Sequence, residues 1–549
     1  MVTTYRRPGV YLEESLLVNP SDVSGSVTVA AFVGVAEKGQ INEPVLVESW
    51  SDFVTLFGGF NPIIPPVADT IKTPVLSYLP YAVYSYFQNG GRFAYIVRSA
   101  PTTAGAKGTQ ASVLVNGADT GETPLTSFTV QAKSVGAWGN KLQYNLTTQS
   151  TVGTDPLDED IFAIQVLLQN SDGRYEVVET YTGLSVTGTP AGSRRVDAAI
   201  NDPYAGSRYV TVIDVNITQP QPKPTTTGPV SLANGVDPGI PDSNALSSSA
   251  SALGKTEGPI NLCVVGYAKD ASKAEAAPAG NFVGATVPMN TFVGREDVIT
   301  INDSAPPRIS GQTSADYAGS LATELNDNPD DSYTAAYAPW IIIPDPKRVG
   351  MTVTVPPGGA IAGMMSRIDA TVGVFRAPAG VIAGISNAVG VQTKFTDTEL
   401  GDLNNKHINI IRPVVGAGIC CMGGRTRKQF GADKYVSARR TLISIKESLR
   451  RSTQWAVFEN NDQRLWSGLR MTADRILRPL WEAGGLAGAN AAEAYYIRCD
   501  ATLNTPNVIQ SGEVRMEVGV ALEYPAEFVI IRITQFDRGT FSGEVTPIV

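Results

Sequence analysis

The sequence contains very little histidine, since His407 is the only one in 549 residues. A Ser-His-Asp triad, a Cys-His pair and most zinc sites each need histidine, so any of them would have to be built around His407. The GxSxG and HExxH patterns are also missing. We therefore predict no catalytic residue, no bound cofactor and no metal site.

Cysteine is scarce as well, with Cys263, Cys420, Cys421 and Cys499 as the four examples. None of them forms a CxxC pair and two are adjacent, which argues against a disulfide framework and against a zinc knuckle. We interpret all four as buried free thiols.

A phosphate-binding loop is missing too. Gly254-Lys255-Thr256 resembles the end of the GxxxxGK[ST] pattern, but Ser249 stands where its first glycine belongs. We interpret this segment as a turn in a linker. The run Pro356-Pro357-Gly358-Gly359 is followed by no Lys-Ser/Thr pair, and its prolines have no backbone N–H to offer a phosphate.

Long apolar runs are absent, because no stretch approaches the roughly 20 residues of a spanning helix. The first residues also lack the apolar region of a signal peptide. We therefore expect a soluble protein that is made in the cytoplasm and does not insert into a membrane. An apolar content of 43% is that of a globular chain, and 549 residues exceed what one core can serve.

The net charge of −9 is unevenly distributed. From Lys406 onward the chain carries 19 basic and 14 acidic residues, whereas the preceding residues have a net charge of −14. An acidic body joined to a basic C-terminal part indicates that the two face different surroundings. Nucleic acid is a poor candidate partner, because no aromatic-studded basic run accompanies the small excess.

Both ends of the sequence contain strand-like segments. The N-terminal arm, residues 1–25, includes the extended run Pro8-Gly9-Val10-Tyr11-Leu12, and no neighbouring segment offers it a partner strand. Near the other end, the run that contains Phe528, Val529, Ile530, Ile531 and Ile533 is apolar on both faces, which is typical of a strand inside a sheet. Either the arms of neighbouring copies complete this sheet, or the first residues are frayed and the sheet is an ordinary internal one.

Composition divides the rest of the chain into five stretches. Residues 26–100 and 255–405 alternate buried strand runs with helix patterns, which predicts one discontinuous α/β domain. Residues 101–254 are rich in Thr, Ser, Gly and Val and predict a β-rich insertion, with 247–253 as the returning linker. Residues 406–535 predict an α+β C-terminal domain, and 536–549 form a C-terminal arm.

Two amphipathic helices are predicted in the C-terminal domain. In the first, Ala438, Leu442, Ile445 and Leu449 form an apolar stripe. Its basic residues lie off this stripe: Arg439, Arg440, Lys446, Arg450 and Arg451. Two interpretations of these basic residues remain open. They form either an ordinary solvated surface or a basic face that contacts an acidic partner.

Several short motifs follow one another in a specific order along the chain. In the first part they are Arg7–Glu14, Phe32–Gly39, Trp50–Phe53 and Phe87–Gly91. In the later part they are Gly136–Asn140, Gly424–Thr426, Arg439-Arg440, Val457–Glu459 and Pro525–Val529. In this order the motifs resemble those of the tail sheath proteins of contractile phage tails and related injection systems. The chain departs from the family at Cys421-Met422 and at Asn460-Asn461, which affects local packing.

The resemblance implies a structural subunit that polymerises in stacked rings around an inner tail tube and contracts. It also implies baseplate and tail terminator proteins as partners, and a C-terminal domain placed innermost, with the basic helix facing the lumen. Two alternatives remain at this point: a non-contractile tube or capsid component, and an enzyme that uses the α/β body.

Overall fold

A computed structural model of the chain describes residues 28–61, 63, 73–101, 107–116, 126–151, 160–170, 172–188, 192–215, 224, 227–270, 282–284, 294–303, 308–309, 311–324 and 331–527. The predicted strand arm at 8–12, the predicted strand at 528–533 and the arm at 536–549 lie outside these residues.

The α-helices of the described residues, in chain order, are α1 Trp50–Phe57, α2 Leu79–Gln88, α3 Val196–Ile200, α4 Ser243–Ser248, α5 Ser314–Glu324, α6 Gly358–Thr371, α7 Asp397–Asn405, α8 Val436–Ser452, α9 Gln463–Glu482, α10 Ala491–Ala494 and α11 Pro506–Gln510.

The strands are β1 Val29–Gly34, β2 Pro44–Val47, β3 Leu76–Ser77, β4 Ala94–Arg98, β5 Ser112–Asn116, β6 Thr126–Ala132, β7 Leu142–Thr151, β8 Asp160–Gln169, β9 Tyr175–Ser185, β10 Arg194–Arg195, β11 Val210–Ile213, β12 Thr227–Ser231, β13 Ile260–Val264, β14 Tyr267–Ala268, β15 Phe282–Val283, β16 Val298–Asn302, β17 Thr334–Ala338, β18 Ile341–Pro344, β19 Thr352–Val355, β20 Gly390–Val391, β21 Ile408–Val414, β22 Gly418–Cys421, β23 Tyr495–Arg498 and β24 Glu517–Val520.

The centre of the fold is an eight-stranded sheet, called the large sheet below, with the order β2-β4-β1-β13-β16-β17-β21-β22. The strands from β4 to β21 are parallel, and the two outer strands, β2 and β22, are antiparallel to their neighbours. Strands β13 and β16 are buried along their whole length, as expected for parallel strands covered on both faces. The predicted α/β body is therefore confirmed.

Helices cover both faces of the large sheet. On one face α2 and α6 pack over Phe32, Ile96 and Ile301. On the other face the segment 243–255 packs over β1 and β13, while α5 and α7 pack over β17 and β21. The prediction that 247–253 is a linker is wrong, because Ala250 and Leu253 are fully buried in this second layer.

The large sheet extends past the predicted boundary at residue 405. Strand β21 pairs with β17 in parallel, with Ala336 opposite Ile408, and β22 then folds back on β21. This boundary of the C-terminal domain is therefore wrong. Sequence reasoning misplaced it because the change in net charge begins at Lys406, one strand before the sheet is complete.

Strands β5–β12 form two sheets of their own, which we call the β-rich unit. Their orders are β10-β9-β8-β7-β12 and β11-β6-β5, and one apolar cluster that includes Phe128, Phe162 and Ile164 lies between them. The chain enters and leaves this unit side by side, because the Thr109 and Val236 backbones exchange hydrogen bonds of 2.9 and 3.1 Å. The ends of this stretch are thus close together, as its position between two halves of one body requires.

A buried arginine fastens the β-rich unit to the large sheet. Arg98 ends β4 and is 1% exposed. Its guanidinium donates to the carbonyls of Ala36, Glu37 and Gly39 and, across the junction, to that of Val135 at 2.8 Å. Burial lowers its pKa to about 10, so the group stays charged at neutral pH.

Replacing this arginine tests the junction. Arg98→Met keeps the length of the side chain but leaves four carbonyls without their donor, so we expect the free energy of unfolding to fall by about 3 kcal/mol. Arg194→Met is the control, because Arg194 is 60% exposed and should change stability by about 0.5 kcal/mol at most. Urea unfolding of both variants measures the difference. Equal stabilities would contradict this account of the junction.

Candidate interface on the C-terminal part of the chain

The place where an α/β enzyme binds its ligand is filled in this fold. Such a site lies outside the carboxyl ends of the strands, where the strand order reverses, and here that is between β1 and β13. The Ser77 hydroxyl donates to the Val35 carbonyl at 2.5 Å, and Leu79 is fully buried against the same strand ends. A Cβ atom added at Gly34 would lie 3.1 Å from Leu79 Cβ. The crevice is therefore closed by the chain itself.

The N-terminus of α6, a second position suited to an anion, holds a carboxylate of the protein. Asp303 follows β16 and accepts a hydrogen bond from the Gly358 amide at 2.9 Å. Burial raises the pKa of Asp303 to about 7, against the opposing effect of that hydrogen bond. The Asp303 carboxyl thus occupies the N-terminus of α6, where the helix dipole would favour a bound anion. This explains why the Pro-Pro-Gly-Gly run does not form a phosphate loop.

The remaining reactive side chains are buried. His407 Nδ1 lies 3.1 Å from the Thr426 carbonyl, and burial lowers the pKa of the imidazole. All four cysteines are free and buried, as predicted, and burial raises the pKa of each thiol. Among the described residues no cluster of three or more His, Cys, Asp or Glu residues is arranged to hold a metal ion. None of the helices in those ranges combines the length and apolar character needed to cross a bilayer.

Helix α8 is buried on two opposite faces. Ala438, Ile445 and Leu449 pack against α9 in the C-terminal cluster, which confirms the predicted apolar stripe. Val436 and Ile443 pack instead into the core of the large sheet. A helix buried on both faces joins the α/β body to the C-terminal part of the chain.

The two basic residues nearest the start of α8 lie inside this joint. Arg439 pairs with Asp433 and stacks over the Tyr333 ring at 4.4 Å, while Arg440 pairs with Asp369 of α6. Their side chains are only 4% and 2% exposed. The prediction that they belong to one exposed basic face is therefore wrong. The pattern identified the apolar stripe but could not show that the body supplies carboxylates to the opposite side.

The last turns of α8 keep part of the predicted basic face. Glu447 is buried and receives the guanidiniums of both Arg450, at 2.7 Å, and Arg451. Burial alone would raise the pKa of Glu447, but the two arginines outweigh it and lower the pKa. Lys446 lies 3.0 Å from Glu296 and is mostly covered. Arg450 and Arg451 are 32% and 50% exposed, and their orientation toward a lumen stays a prediction.

Helix α9 adds basic residues that sequence reasoning missed. Arg464 and Arg475 are exposed, and neither forms an ion pair with any residue that the structure describes. Between them Met471 is 56% exposed, and the Trp455 ring packs over Gly468. The signal was present in the sequence, because Arg464, Met471 and Arg475 recur at helical spacing away from the apolar residues of α9.

A small sheet lies against the same helix. Strands β23 and β24 are antiparallel, with Tyr495 opposite Val520, and within the described ranges they have no third strand. Their side chains Ile497, Val518 and Val520 pack toward the α8–α9 cluster. A groove of 390 Å³ runs along β23, lined by Ser467, Arg470, Met471, Asp474, Tyr495 and Ile497.

Residues 432–536 match the family model of the phage tail sheath C-terminal domain. This stretch begins just before α8 and takes in α9 and the small sheet. The C-terminal part of this chain is thus similar to the phage tail sheath C-terminal domain over these residues.

Individual relatives agree with this assignment. The tail sheath protein of Enterobacteria phage T4 is 27% identical over 161 residues, which are 29% of this chain and 24% of the T4 protein. The matched stretch therefore spans only about a quarter of that relative. The chain is a relative of tail sheath proteins, and the resemblance predicted from its motifs is confirmed.

Two solved structures share the fold over nearly the whole chain. A sheath tail protein of Listeria innocua is 11% identical with a TM-score of 0.52, and covers 92% of this chain and 97% of its own. The sheath complex of an extracellular contractile injection system, PVC, in its contracted state is 18% identical with a TM-score of 0.50, covering 98% and 99%.

The buried carboxyl of Asp303 makes stability depend on pH. Its folded pKa of about 7 lies above the ordinary 3.8, so the folded state holds the proton more tightly than the unfolded chain. The free energy of unfolding that Asp303 contributes therefore falls as pH rises from about 4 through about 7. Asp303→Asn keeps an acceptor for Gly358 and does not titrate, so the variant should gain up to about 4 kcal/mol relative to wild type between pH 4 and pH 8. Urea unfolding at both pH values measures this. A difference that stays constant with pH would contradict it.

Proposed function

We propose that this chain is the structural subunit of a contractile sheath. Copies polymerise as stacked rings around an inner tail tube, between baseplate and tail terminator proteins, and contract to drive the tube through a target envelope. The proposal places the protein in a phage tail or an extracellular injection particle and gives it no enzymatic role. The observation that carries it is the coincidence of the matched sheath domain with the two-helix unit and its small sheet.

Contraction in this proposal needs no bound nucleotide. The extended sheath is metastable, and the contracted arrangement makes more favourable contacts between subunits, so each ring releases free energy as it rearranges. The closed crevice at β1 and β13 and the internally capped α6 fit a body that serves as a rigid block.

Electron microscopy of the purified protein tests the function. We expect hollow cylinders that occur in a long, narrow form and a short, wide form. Cylinders of one length only would favour a non-contractile tube or capsid component. Monomers at all concentrations would contradict the proposal.

In the proposed assembly the arms of neighbouring copies complete the small sheet. A two-stranded sheet is marginal by itself, and β23 and β24 present backbone groups to which an extended segment could add. The candidate segments are 8–12 of one copy, which we expect to pair near 528–533 of another, and the C-terminal arm 536–549. Strand exchange of this kind would keep subunits linked while their bodies rotate.

Deleting residues 2–14 tests the arm. We expect the variant to stay folded, because the described core begins at Val29, but to form no cylinders, because the added strand is lost. Circular dichroism and sedimentation velocity measure the two properties. Deletion of residues 2–4 alone is the control and should assemble normally. Long sheaths from the larger deletion would refute the role of the arm.

We further propose that the β-rich unit projects from the outer surface and that the C-terminal domain lies innermost. The acidic balance of the preceding residues suits an outer surface. The lumen-facing set then comprises the exposed ends of α8 and α9, with Arg450, Arg451, Arg464 and Arg475 as its basic residues. Glu447 already binds Arg450 and Arg451 of α8, whereas Arg464 and Arg475 of α9 form no ion pair with a described residue. Helix α9 is therefore the stronger candidate for binding the tube.

Charge reversal on α9 tests this face. Arg464→Glu together with Arg475→Glu should weaken binding to the tube about tenfold or more at low salt, because two unpaired positive charges become negative. The effect should shrink as salt rises, since screening acts over about 8 Å at physiological ionic strength. Co-sedimentation of sheath with tube measures it. Arg174→Glu with Arg194→Glu, two exposed residues of the β-rich unit, is the matched control and should bind normally. Equal losses in both variants would contradict the proposed orientation.

A further inference from the structure

Two short motifs that lie 102 positions apart meet in one ion pair. Arg425, from the segment after β22, donates Nε to Glu527 Oε1 at 2.7 Å and Nη2 to the other carboxylate oxygen. The side chains are 8% and 20% exposed. A two-pronged pair of this kind fixes orientation as well as distance.

Arg425 is itself fastened to the large sheet. Its amide donates to Asn409 Oδ1 at 2.8 Å, and Asn409 Nδ2 donates back to the Arg425 carbonyl at 2.7 Å. Asn409 belongs to β21. The third guanidinium nitrogen, Nη1, donates to the Asn404 carbonyl in the last turn of α7 at 2.9 Å. Arg425 therefore has no freedom to follow a moving partner.

Glu527 is held from a second side. Tyr524 lies three residues before Glu527 in the chain, and its ring is 5.9 Å from the ring of Tyr435. Burial raises the pKa of Tyr435, and the neighbouring carboxylate of Glu527 adds to the effect. Burial alone would raise the pKa of Glu527, but the hydrogen bonds and charge of Arg425 outweigh it, with Lys434 as a further positive neighbour, and lower the pKa. The carboxylate is thus charged and committed to this site at neutral pH.

The position of the pair in the chain gives it a role beyond local packing. Strand β24 ends at Val520 in the small sheet, yet residue 527 is attached to an arginine that belongs to the large sheet. Glu527 is therefore attached to the body and not to the small sheet.

We propose that the Arg425–Glu527 pair anchors the C-terminal segment, setting the direction in which it leaves and passing tension on it to the large sheet. This inference rests on the proposed function in one respect: the C-terminal segment is taken to bind a second copy of the chain. Arg425 and Glu527 are positioning residues in this account, since they act through the segment that follows.

The direct test is a distance measurement in unassembled subunits. Spin labels at Val415→Cys, on an exposed loop of the body, and at Thr540→Cys report the spread of distances between body and segment; the four native thiols are buried. Glu527→Gln removes the charge, and Arg425→Lys keeps the charge but loses the two-pronged geometry. Both variants should broaden the distance distribution. Glu513→Gln is the matched control, because it breaks the exposed Arg515–Glu513 pair of the same domain and should leave the distribution unchanged.

Assembly is the second readout. Glu527→Gln should raise the protein concentration needed for polymerisation about tenfold, with Arg425→Lys between it and wild type. A wild-type protein that forms no sheath would overturn the proposed function but leave the distance test valid. Distributions as narrow as wild type in both folded variants would overturn the anchor. Broad distributions with unimpaired assembly would overturn its role in positioning.

Discussion

The architecture depends on one helix, α8, that must satisfy two neighbours at once. Its stripe at Ala438, Ile445 and Leu449 is apolar and packs on α9, while its opposite side carries Val436, Arg440 and Ile443 into the body. A buried arginine is tolerable only with a partner, because an unpaired buried charge costs about 3–5 kcal/mol. Asp369 of α6 supplies that partner, so the body and the C-terminal domain fit together in one relative orientation.

A second set of attachments extends the same principle to the rest of the chain. Arg98 binds carbonyls on both sides of the junction with the β-rich unit, and Arg425 ties residue 527 to β21. Each attachment uses a guanidinium with fixed donor directions, which holds orientation better than an apolar contact of similar size. We expect a chain built this way to behave as one block. In a contracting assembly, such a block leaves the connections between copies as the parts that move.

The sequence predicted the features that follow from local periodicity. The alternation of strand runs with helix patterns in the α/β body and the apolar stripe of α8 both follow from residue spacing, and the structure contains them. The partners of Arg439 and Arg440 could not be predicted, because Asp369 lies 71 positions before Arg440 and nothing in the helix pattern refers to it. The boundary at 405 failed for a related reason: charge composition changed before the last parallel pairing, which is a long-range property.

Native-state hydrogen exchange tests most directly whether α8 makes the body and the C-terminal domain one block. If it does, the amides of α8 exchange with the same opening free energy as those of β13 and β16, and Asp369→Asn lowers the values in α8 and in α9 together. If α8 and α9 instead open at a clearly lower free energy than the large sheet in the wild-type protein, the C-terminal domain moves independently. The account of a single block would then be contradicted.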